Sequence, residues 1–368
     1  MLIDIIAGAR PNFIKISPIV DAITTQSNAG VKIEYRLVHT GQHYDKKMSH
    51  DFFEQLSIPT PHFNLEAGSG TQAEQTAKIM IGYERLLLDK PCDLCIVVGD
   101  VTSTMACSIV AKKVNNIKVA HVEGGIRSGD WTMPEEINRI VTDAITDYFF
   151  TTSAVANNNL LKSGISNDRI FFVGNTMIDT LHKQMPRFIK PEFWDQLHLN
   201  PKEYLVMTLH RPANVDNKEK LYELINEVIS SSNGFPIIFP VHPRTAKILS
   251  ETDIDTSKLH LAEPMSYLEF NYLVKYARAV ITDSGGITEE TTVMGVPCMT
   301  LRDNTERPET CTIGTNELLG TNPASIAPAF KKLFDGEWKK GGIPEMWDGN
   351  AAKRIVTHII DLFGLQKP

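Results

Sequence analysis

The sequence has few cysteines and no apolar run long enough to cross a membrane. Its 368 residues include five cysteines, and only Cys92 and Cys95 are spaced like a zinc or redox pair, with no second pair after them. We therefore expect buried, unpaired thiols in a reducing compartment. The opening residues MLIDIIAG are typical of a strand rather than of a signal peptide. These absences predict a cytoplasmic protein that does not associate with a membrane.

The chain also has fewer basic than acidic residues. With 37 Lys and Arg against 44 Asp and Glu, the formal net charge is −7, which argues against a nucleic-acid partner. No Gly-x-x-x-x-Gly-Lys loop occurs, and Gly8-Ala9-Arg10 lacks the glycine pattern of a dinucleotide site. His210 and His242 are far apart, with no metal-ligand spacing beside them. The sequence predicts no metal, no cofactor and phosphate contacts that are built locally.

The chain is rich in short β-type runs that alternate with helical patterns, which predicts an α/β fold with parallel sheets. The alternation slackens around residues 174–191, and the length suits two domains. We predict an N-terminal Rossmann-like domain at 1–175 that carries catalytic carboxylates and a C-terminal Rossmann-like, nucleotide-binding domain at 176–350. A last helix within 351–368 is expected to pack back on the first domain. The two sheets are expected to face a central cleft.

The stretch Ala279–Glu309 holds the densest set of chemically capable side chains. A predicted strand ends at Ser284-Gly285-Gly286, just before a helix. Glycines there let a ligand approach the backbone, and the free N–H groups and helix dipole favour an anion such as phosphate. Glu290 can then accept from sugar hydroxyls, and Arg307 can hold a diphosphate. A tight turn and a solvated acidic helix would explain these residues singly, but together they favour a nucleotide site.

Polar side chains follow other predicted strands as well, and ligands of open parallel sheets bind beyond the carboxyl ends of the strands. Each residue alone has a simpler explanation, since a histidine after a strand is often only a loop residue and Asp100 could cap the next helix. Their common placement favours a cleft for a phosphorylated sugar or nucleotide. The residues are Arg10, Gln42, His43, Asp100, Glu123, His210, His242, Ser284 and Arg307.

These residues lie in blocks that resemble the non-hydrolysing UDP-N-acetylglucosamine 2-epimerases, and the blocks cover most of the chain in order. The resemblance implies a glycosyltransferase-B-like architecture, a homodimer, and a reaction on UDP-GlcNAc without metal or nicotinamide cofactor. The blocks are Gly8–Pro11 with Lys15, Thr40–His43, Gly99-Asp100, His121–Arg127, Pro134–Arg139, His210-Arg211, Pro240–Pro243, Asp283–Glu290 and Arg302–Glu309.

The resemblance also implies the chemistry. The family eliminates UDP across sugar carbons 1 and 2, giving 2-acetamidoglucal, and adds UDP back with the other configuration, supplying UDP-ManNAc for surface polysaccharide. This route needs a general base, a general acid and stabilisation of the departing diphosphate. Matching positions assign catalytic roles to Asp100, Glu123, Glu135, Arg139 and His210. They assign UDP-sugar contacts to Arg10, Lys15, Gln42, His242, Phe270, Ser284, Gly285, Gly286, Glu290 and Arg307.

Several segments depart from the family pattern. After His210-Arg211 the chain has Pro212-Ala213-Asn214 where the family often has a charged Arg/Glu-Asn run, and Gly124 replaces the usual alanine. Ala67–Gln72 and His43–Lys46 differ from bacterial members in which a second UDP-GlcNAc activates, so allosteric activation is not predicted. These two segments look closer to relatives that epimerise modified UDP-sugars such as diacetamido-uronic acids.

Several alternatives therefore stay open. One is a 2-epimerase of a modified UDP-sugar, and another is a hydrolysing relative that releases ManNAc and UDP. A glycosyltransferase shares the architecture but rarely needs three such carboxylates. A nucleotide-sugar sensor without activity is disfavoured because each catalytic position matches.

Overall fold

The computed structural model describes residues 1–41, 55–115, 117–241, 249 and 259–365, and for Arg10, Pro212 and Ala213 it describes the backbone alone. Contacts within the chain separate two compact units. The first unit is Met1–Lys183 together with Glu345–Pro368, and the second unit is Gln184–Pro344. Each unit is a parallel sheet with helices packed on it, so the predicted α/β fold is confirmed.

The first unit is built on a seven-stranded sheet whose neighbouring strands pair in parallel. The strands are β1 (Leu2–Ala7), β2 (Glu34–His39), β3 (Phe63–Asn64), β4 (Leu94–Val98), β5 (Lys118–Val122), β6 (Tyr148–Thr151) and β7 (Ile170–Phe172). Their order is β3-β2-β1-β4-β5-β6-β7, so the winding direction reverses between β1 and β4. Ligand sites of doubly wound sheets form beyond the carboxyl ends of strands at such a reversal.

Helices of the first unit cover the sheet with apolar faces. Helix α1 opens with Pro11 in its first turn and buries Phe13, Ile16 and Ile23. Helix α2 begins with a capping box, in which the side chains of Thr71 and Glu74 each accept a hydrogen bond from the other residue's backbone amide. The helices are α1 (Arg10–Asn28), α2 (Gln72–Asp89), α3 (Thr102–Lys113), α4 (Pro134–Ile145), α5 (Ala154–Lys162) and α6 (Thr176–Gln184), with a 3-10 turn at Asn167–Arg169.

The second unit has a six-stranded parallel sheet. Its strands are β8 (Leu205–Thr208), β9 (Ile237–Pro240), β10 (Leu259–Ala262), β11 (Ala279–Thr282), β12 (Cys298–Thr300) and β13 (Asn316–Leu318). The order β10-β9-β8-β11-β12-β13 places the reversal between β8 and β11. The ends of these two strands are therefore the expected ligand position in this unit.

Short loops and helices return the chain between these strands. Helix α11 ends at Gly295, whose φ of 66° is the left-handed conformation that glycine adopts without strain. The helices are α7 (Phe193–Gln196), α8 (Pro212–Val215), α9 (Lys218–Ser231), α10 (Tyr267–Tyr276), α11 (Gly285–Met294), α12 (Pro308–Thr312) and α13 (Ile326–Phe334), with 3-10 turns at Met185–Arg187 and Pro323–Ser325.

The last helix, α14 (Ala351–Leu362), belongs to the first unit and packs on α1. Asp179 accepts hydrogen bonds from the backbone amides of Ala351 and Ala352, at 3.0 and 2.7 Å. The buried indole of Trp347 donates to the carbonyl of Thr152 at 3.0 Å. The sequence-based boundaries lie at 175/176 and 350/351, whereas these contacts join α6 and the segment from Glu345 to the first unit.

Candidate active site

In the first unit, Asp100 and Glu123 follow two neighbouring strands. Strands β4 and β5 pair up to Val98 and Val122, so the residues after them leave the sheet side by side. Gly8 follows β1 on the other side of β4. A Cβ atom on Gly8 would overlap the Ser103 hydroxyl, so this turn requires glycine. The predicted carboxylates, Asp100 and Glu123, therefore lie near the reversal point of the sheet.

Glu123 is buried and carries an unusual backbone conformation. Its φ of 72° lies in the left-handed region, which costs a non-glycine residue about 1–2 kcal/mol. The Lys15 ammonium lies 2.7 Å from its Oε2 atom. Gly99, next to this pair, has a φ of 71°, a left-handed conformation that favours glycine. A buried residue with a strained backbone and a carboxylate paired with a cation is typical of a functional site.

Asp100 is bound by Arg139 of α4. The Arg139 guanidinium donates to Oδ2 of Asp100 and, at 2.8 Å, to Oε2 of Glu136. The side-chain amide of Asn138 donates to the Asp100 carbonyl at 2.9 Å. The Asp100 side chain is 31% exposed, whereas Arg139 is buried. One face of α4 therefore fixes both the backbone and the carboxylate of Asp100.

Glu135 and Glu136 are neighbours with different surroundings. Glu136 is buried, and its carboxylate accepts from the backbone amides of Ser128 and Gly129, each at 3.0 Å. Burial would raise the pKa of Glu136, but these amides and Arg139 lower it below its usual range. Glu135, the predicted catalytic residue, is only partly buried. Glu136 thus holds the loop before α4 and leaves Glu135 at the more accessible position.

His121 of β5 lies beneath the two carboxylates and is fully buried. Its Nδ1 lies 2.7 Å from Asp143 Oδ1, and its Nε2 lies 2.8 Å from the carbonyl of Gly99. Asp143 also accepts from the Gly125 amide at 3.1 Å and from Arg127 at 2.6 Å. Burial would raise the pKa of Asp143, but His121 and Arg127 lower it. This network ties the turn before Asp100 to the turn after Glu123.

In the second unit, Ser284 precedes α11, and Gly285 and Gly286 form its first residues. The backbone amide of Ser284 donates to Thr282 at 3.0 Å. The first amides of a helix have no partner inside the helix and attract anions. A Cβ on Gly285 would lie 3.7 Å from the Arg302 guanidinium and 3.9 Å from the carboxylate of Glu306, which pairs with Arg302, so the helix amides are the groups that favour an anion here. The geometry suits an anion such as a diphosphate.

Glu290 faces the interior of the second unit from α11. The hydroxyl of Tyr267 donates to its Oε1 atom at 2.7 Å. Burial raises the pKa of Glu290 to about 7, and the charge of Glu289 adds to this effect. Phe270, one turn further along the helix of Tyr267, is partly buried and packs against an apolar cluster of this unit. Glu290, the predicted ribose contact, thus has a carboxyl group whose pKa lies near neutral pH.

Arg307 opens α12 and is almost fully buried. Its Nε atom donates to Glu289 Oε1 at 2.7 Å. A buried ion pair of this kind fixes the guanidinium plane, because desolvated charges need a close partner. The residue predicted from sequence as a nucleotide contact is therefore also a structural link between α11 and α12.

His210 lies after β8, at the reversal point of the second sheet. Its ring is 61% exposed, and Nδ1 lies 2.7 Å from Asp283 Oδ1, which is fully buried after β11. The same carboxylate accepts from the backbone amide of Arg211 at 2.9 Å and from Asn214 at 3.1 Å. Asn214 lies in the segment that departs from the family pattern, and its side-chain amide anchors the loop after β8 to Asp283.

Some predicted residues lie outside the described part of the chain. Gln42, His43 and His242 belong to this group, and so does the side chain of Arg10. Sequence reasoning missed four buried partners that the structure places around the predicted residues. Their only sequence signal was membership of the matching blocks or helical spacing, as with Arg139 and Asp143 four residues apart. The missed residues are His121, Glu136, Asp143 and Asp283.

Two kinds of feature are absent from the described residues. No helix among them combines the length and apolarity that a membrane span requires. Nor does any group of three or more His, Cys, Asp or Glu in those ranges have the geometry to hold a metal ion.

Two units with parallel sheets define a two-domain protein of glycosyltransferase-B-like fold. A lipopolysaccharide outer core galactosyltransferase, 14% identical, shares this fold with a TM-score of 0.59 over 98% of this chain and 100% of that chain. The chain belongs to the UDP-N-acetylglucosamine 2-epimerase family, whose sequence model matches residues 25–360. The resemblance predicted from the motif blocks is confirmed.

Relatives match over nearly their whole length. The chain is 41% identical to UDP-N-acetylglucosamine 2-epimerase of Methanocaldococcus jannaschii, over 97% of this chain and 98% of that protein. It is 36% identical to UDP-2,3-diacetamido-2,3-dideoxy-D-glucuronate 2-epimerase of Pseudomonas aeruginosa, over 97% of this chain and 99% of that protein. The crystal structure of Methanocaldococcus jannaschii UDP-GlcNAc 2-epimerase in complex with UDP-GlcNAc and UDP has 40% identity and a TM-score of 0.87, covering 98% of this chain and 100% of that chain.

Proposed function

We propose that this protein interconverts UDP-GlcNAc and UDP-ManNAc by eliminating and re-adding UDP, and so supplies a precursor of surface polysaccharide. The carbon 2 proton leaves as the bond from carbon 1 to UDP breaks, which gives 2-acetamidoglucal and UDP. UDP then adds back to carbon 1 while a proton is delivered to the other face of carbon 2. One carboxyl group must take a proton and another must give one.

The observation that carries the proposal is the placement of Asp100 and Glu123 at the ends of neighbouring strands, each paired with its own cation. Lys15 lies 2.7 Å from Glu123, and Arg139 donates to Asp100. Glu135, at the start of α4, supplies a third carboxyl group. Asp100, Glu123 and Glu135 are the proposed acid and base groups, and Arg139 keeps Asp100 in place.

The second unit is proposed to hold UDP throughout the reaction. The α11 N-terminus with Ser284, Gly285 and Gly286 suits the diphosphate, and His210 is placed to stabilise its developing charge. Glu290 is the proposed ribose contact. Further UDP-sugar contacts proposed from the family pattern are Arg10, Gln42, His242, Phe270 and Arg307, whereas Lys15 is proposed to act through Glu123.

The test is an incubation with UDP-GlcNAc in deuterated water, followed by ¹H and ³¹P NMR. We expect UDP-ManNAc, together with exchange of the carbon 2 proton for deuterium in both sugars. Asp100→Asn and Glu123→Gln should abolish turnover while UDP still binds by calorimetry. Retention of the proton at carbon 2 in product UDP-ManNAc would contradict elimination and re-addition.

A second candidate function is 2-epimerisation of a diacetamido-uronic acid linked to UDP. Its support is the 36% identity to the Pseudomonas aeruginosa relative of that activity, over 97% of this chain. Running the same NMR assay with both sugars in competition decides between them by the ratio of kcat/KM values. Free ManNAc and UDP as the main products would instead identify a hydrolysing enzyme.

We also propose that the protein is a cytoplasmic homodimer. Supporting the dimer, a groove between α2, α3 and α4 is lined by Met80, Met105 and Ile137, and Trp131 and Ile81 nearby are at least half exposed. An apolar surface of this kind is typical of a site that another chain covers. Supporting the compartment, all five cysteines are free thiols.

Light scattering of an Ile137→Asp variant tests the dimer. Ile137 is 46% exposed in the groove, whereas Ile343, 56% exposed, lies in the second unit and provides a matched control. We expect the wild type and Ile343→Asp to elute as dimers and Ile137→Asp as a monomer. A monomeric wild type would contradict the proposal.

A further inference from the structure

The carboxylate of Asp283 has a role that the residue assignments above leave unexplained. It is fully buried, yet it accepts hydrogen bonds from the backbone amides of His210, at 3.1 Å, and Arg211, at 2.9 Å. Asn214 donates to the same carboxylate at 3.1 Å and to the Leu301 carbonyl, also at 3.1 Å. The loop after β8 is therefore folded around this single anion.

The His210 ring completes the set, and its partner determines its tautomer. Nδ1 lies 2.7 Å from Asp283 Oδ1. Burial would raise the pKa of Asp283, but the hydrogen bond and charge of His210 and the Arg211 amide lower it, so the carboxylate only accepts. Nδ1 must then carry hydrogen whether the ring is neutral or charged. Nε2 is the nitrogen left to meet a ligand.

The exposure of the two side chains agrees with these roles, in which Asp283 anchors the ring and Nε2 meets the ligand. The His210 side chain is 61% exposed while its anchor is completely covered, so the ring projects from a fixed base. A carboxylate behind an imidazole also stabilises the charged ring, whose Nε2–H can donate to an anion. Without the carboxylate, a neutral ring could turn over and present the other nitrogen.

We infer that Asp283 is a positioning residue of the reaction, which acts through His210 by fixing Nε2 as the nitrogen that faces the departing diphosphate. The effect of Asp283 on turnover rests on the proposed function, whereas the tautomer of His210 does not. Asp283 touches neither sugar nor nucleotide in this role. Its effect on turnover should therefore vanish once the His210 ring is removed.

The tautomer is measured first, on the ligand-free protein, by two-bond ¹H–¹⁵N correlation with ¹⁵N-labelled histidine. Loss of signals in His210→Asn assigns the ring, and the asparagine amide can still donate to Asp283. We expect the neutral ring to carry its hydrogen on Nδ1, and the Nε2 signal to move when UDP is added. A neutral ring protonated on Nε2 overturns the inference, whatever sugar the enzyme turns over.

A double-mutant cycle then tests the effect on turnover. Asp283→Asn should lower kcat about a hundredfold with little change in KM, as for loss of one preorganised donor. The same substitution in the His210→Asn background should lower kcat by less than about threefold, because the pair acts as a unit. If the two substitutions lower kcat independently, so that their fold losses multiply in the double variant, Asp283 has a merely structural role and the inference is overturned.

The matched control is Asp335→Asn, an exposed aspartate of the same unit that pairs with Lys331 outside every matching block. It should leave kcat unchanged. If the wild type does not epimerise, the proposed function fails, and the tautomer and the UDP-dependent Nε2 shift still decide the inference. If Asp283→Asn does not fold, those two wild-type measurements decide it as well.

Discussion

The ammonium of Lys15 lies 2.7 Å from Oε2 of Glu123, and the two side chains are 16% and 3% exposed. Sequence resemblance placed Lys15 among the UDP-sugar contacts, whereas the structure pairs it with a proposed catalytic carboxylate. A buried carboxylate depends strongly on a nearby cation, because desolvation disfavours its charge. The contribution of Lys15 is therefore expected in the chemical step more than in nucleotide binding.

Replacing Lys15 by methionine keeps the length of the side chain and removes its charge. We expect kcat to fall by about 10- to 100-fold, because Glu123 loses the cation that holds its position and charge. The dissociation constant for UDP, measured by calorimetry, should change by less than about threefold. Lys162→Met, at an exposed position of α5, is the control. A large loss of UDP affinity with normal kcat would instead make Lys15 a nucleotide ligand.

Glu290 predicts a pH-dependent stability of the ligand-free protein. Burial raises its pKa from 4.5 to about 7, so the folded state prefers the protonated carboxyl. The stabilising contribution is fully present below about pH 4.5 and is lost as the pH rises through about 7. A shift of this size corresponds to up to about 3 kcal/mol of unfolding free energy.

The measurement compares melting temperatures of wild type and Glu290→Gln at pH 5 and pH 8. Glutamine stays neutral, so the melting temperature of the variant should rise relative to that of the wild type as the pH increases. Glu337→Gln, an exposed residue of the same unit, should show no such trend. A gap between Glu290→Gln and wild type that is equal at both pH values would mean that Glu290 ionises in the folded state as easily as in the unfolded one.

Much of the fold follows from local sequence pattern. Strands such as Leu94–Val98 and Ala279–Thr282 are continuous apolar runs bounded by turn residues, and the structure has them with the same limits. Two strands had no such signal. Phe63–Asn64 and Asn316–Leu318 are two and three residues long, lie at sheet edges and contain polar side chains. Pairing with a neighbour, rather than periodicity, makes them strands.

The site was less predictable, because its supports join residues that are distant in sequence. His210 and Asp283 are 73 positions apart and meet only because β8 and β11 are adjacent. An aspartate after a strand and before a glycine pair looks like a turn residue until that neighbour is known. Motif matching identified Glu135 in Pro134–Arg139, but burial distinguishes it from Glu136, whose carboxylate holds the preceding loop.

Asp179 predicts how the last helix is attached. Its carboxylate accepts from the first two amides of α14, and burial raises its pKa to about 6. Asp179→Ala should cost about 1–3 kcal/mol of stability and speed amide exchange in Ala351–Leu362. Since a raised pKa gives a contribution that is lost as the pH rises through about 6, the cost should be larger at pH 5 than at pH 7.5.

Hydrogen exchange by mass spectrometry gives the local readout for α14, and differential scanning fluorimetry gives the pH comparison. Asp361→Ala, an exposed position on the same helix, is the control. Uniformly faster exchange across both units would indicate a general loss of stability. Normal exchange in α14 would contradict the capping role.

His121 gives the sharpest prediction for the first unit, because both of its ring nitrogens face acceptors. Nδ1 lies 2.7 Å from Asp143, and Nε2 lies 2.8 Å from the Gly99 carbonyl, so only a ring with both hydrogens satisfies both partners. His121→Phe keeps the ring but leaves a carboxylate and a carbonyl with one donor fewer inside the core. Leaving a buried polar group without its partner costs about 1–3 kcal/mol.

We expect that variant to lose turnover at temperatures where it is still folded, because the Gly99 carbonyl positions the turn that carries Asp100. The measurement is kcat together with circular dichroism at 10 °C below the melting midpoint of the variant. Lowering stability by a similar amount with Leu205→Ala, in the core of the second unit, separates the two effects. If His121→Phe and Leu205→Ala retain equal kcat under these conditions, His121 stabilises the sheet without positioning Asp100. If only His121→Phe loses it, the buried histidine links the stability of β5 to the geometry of the proposed acid and base.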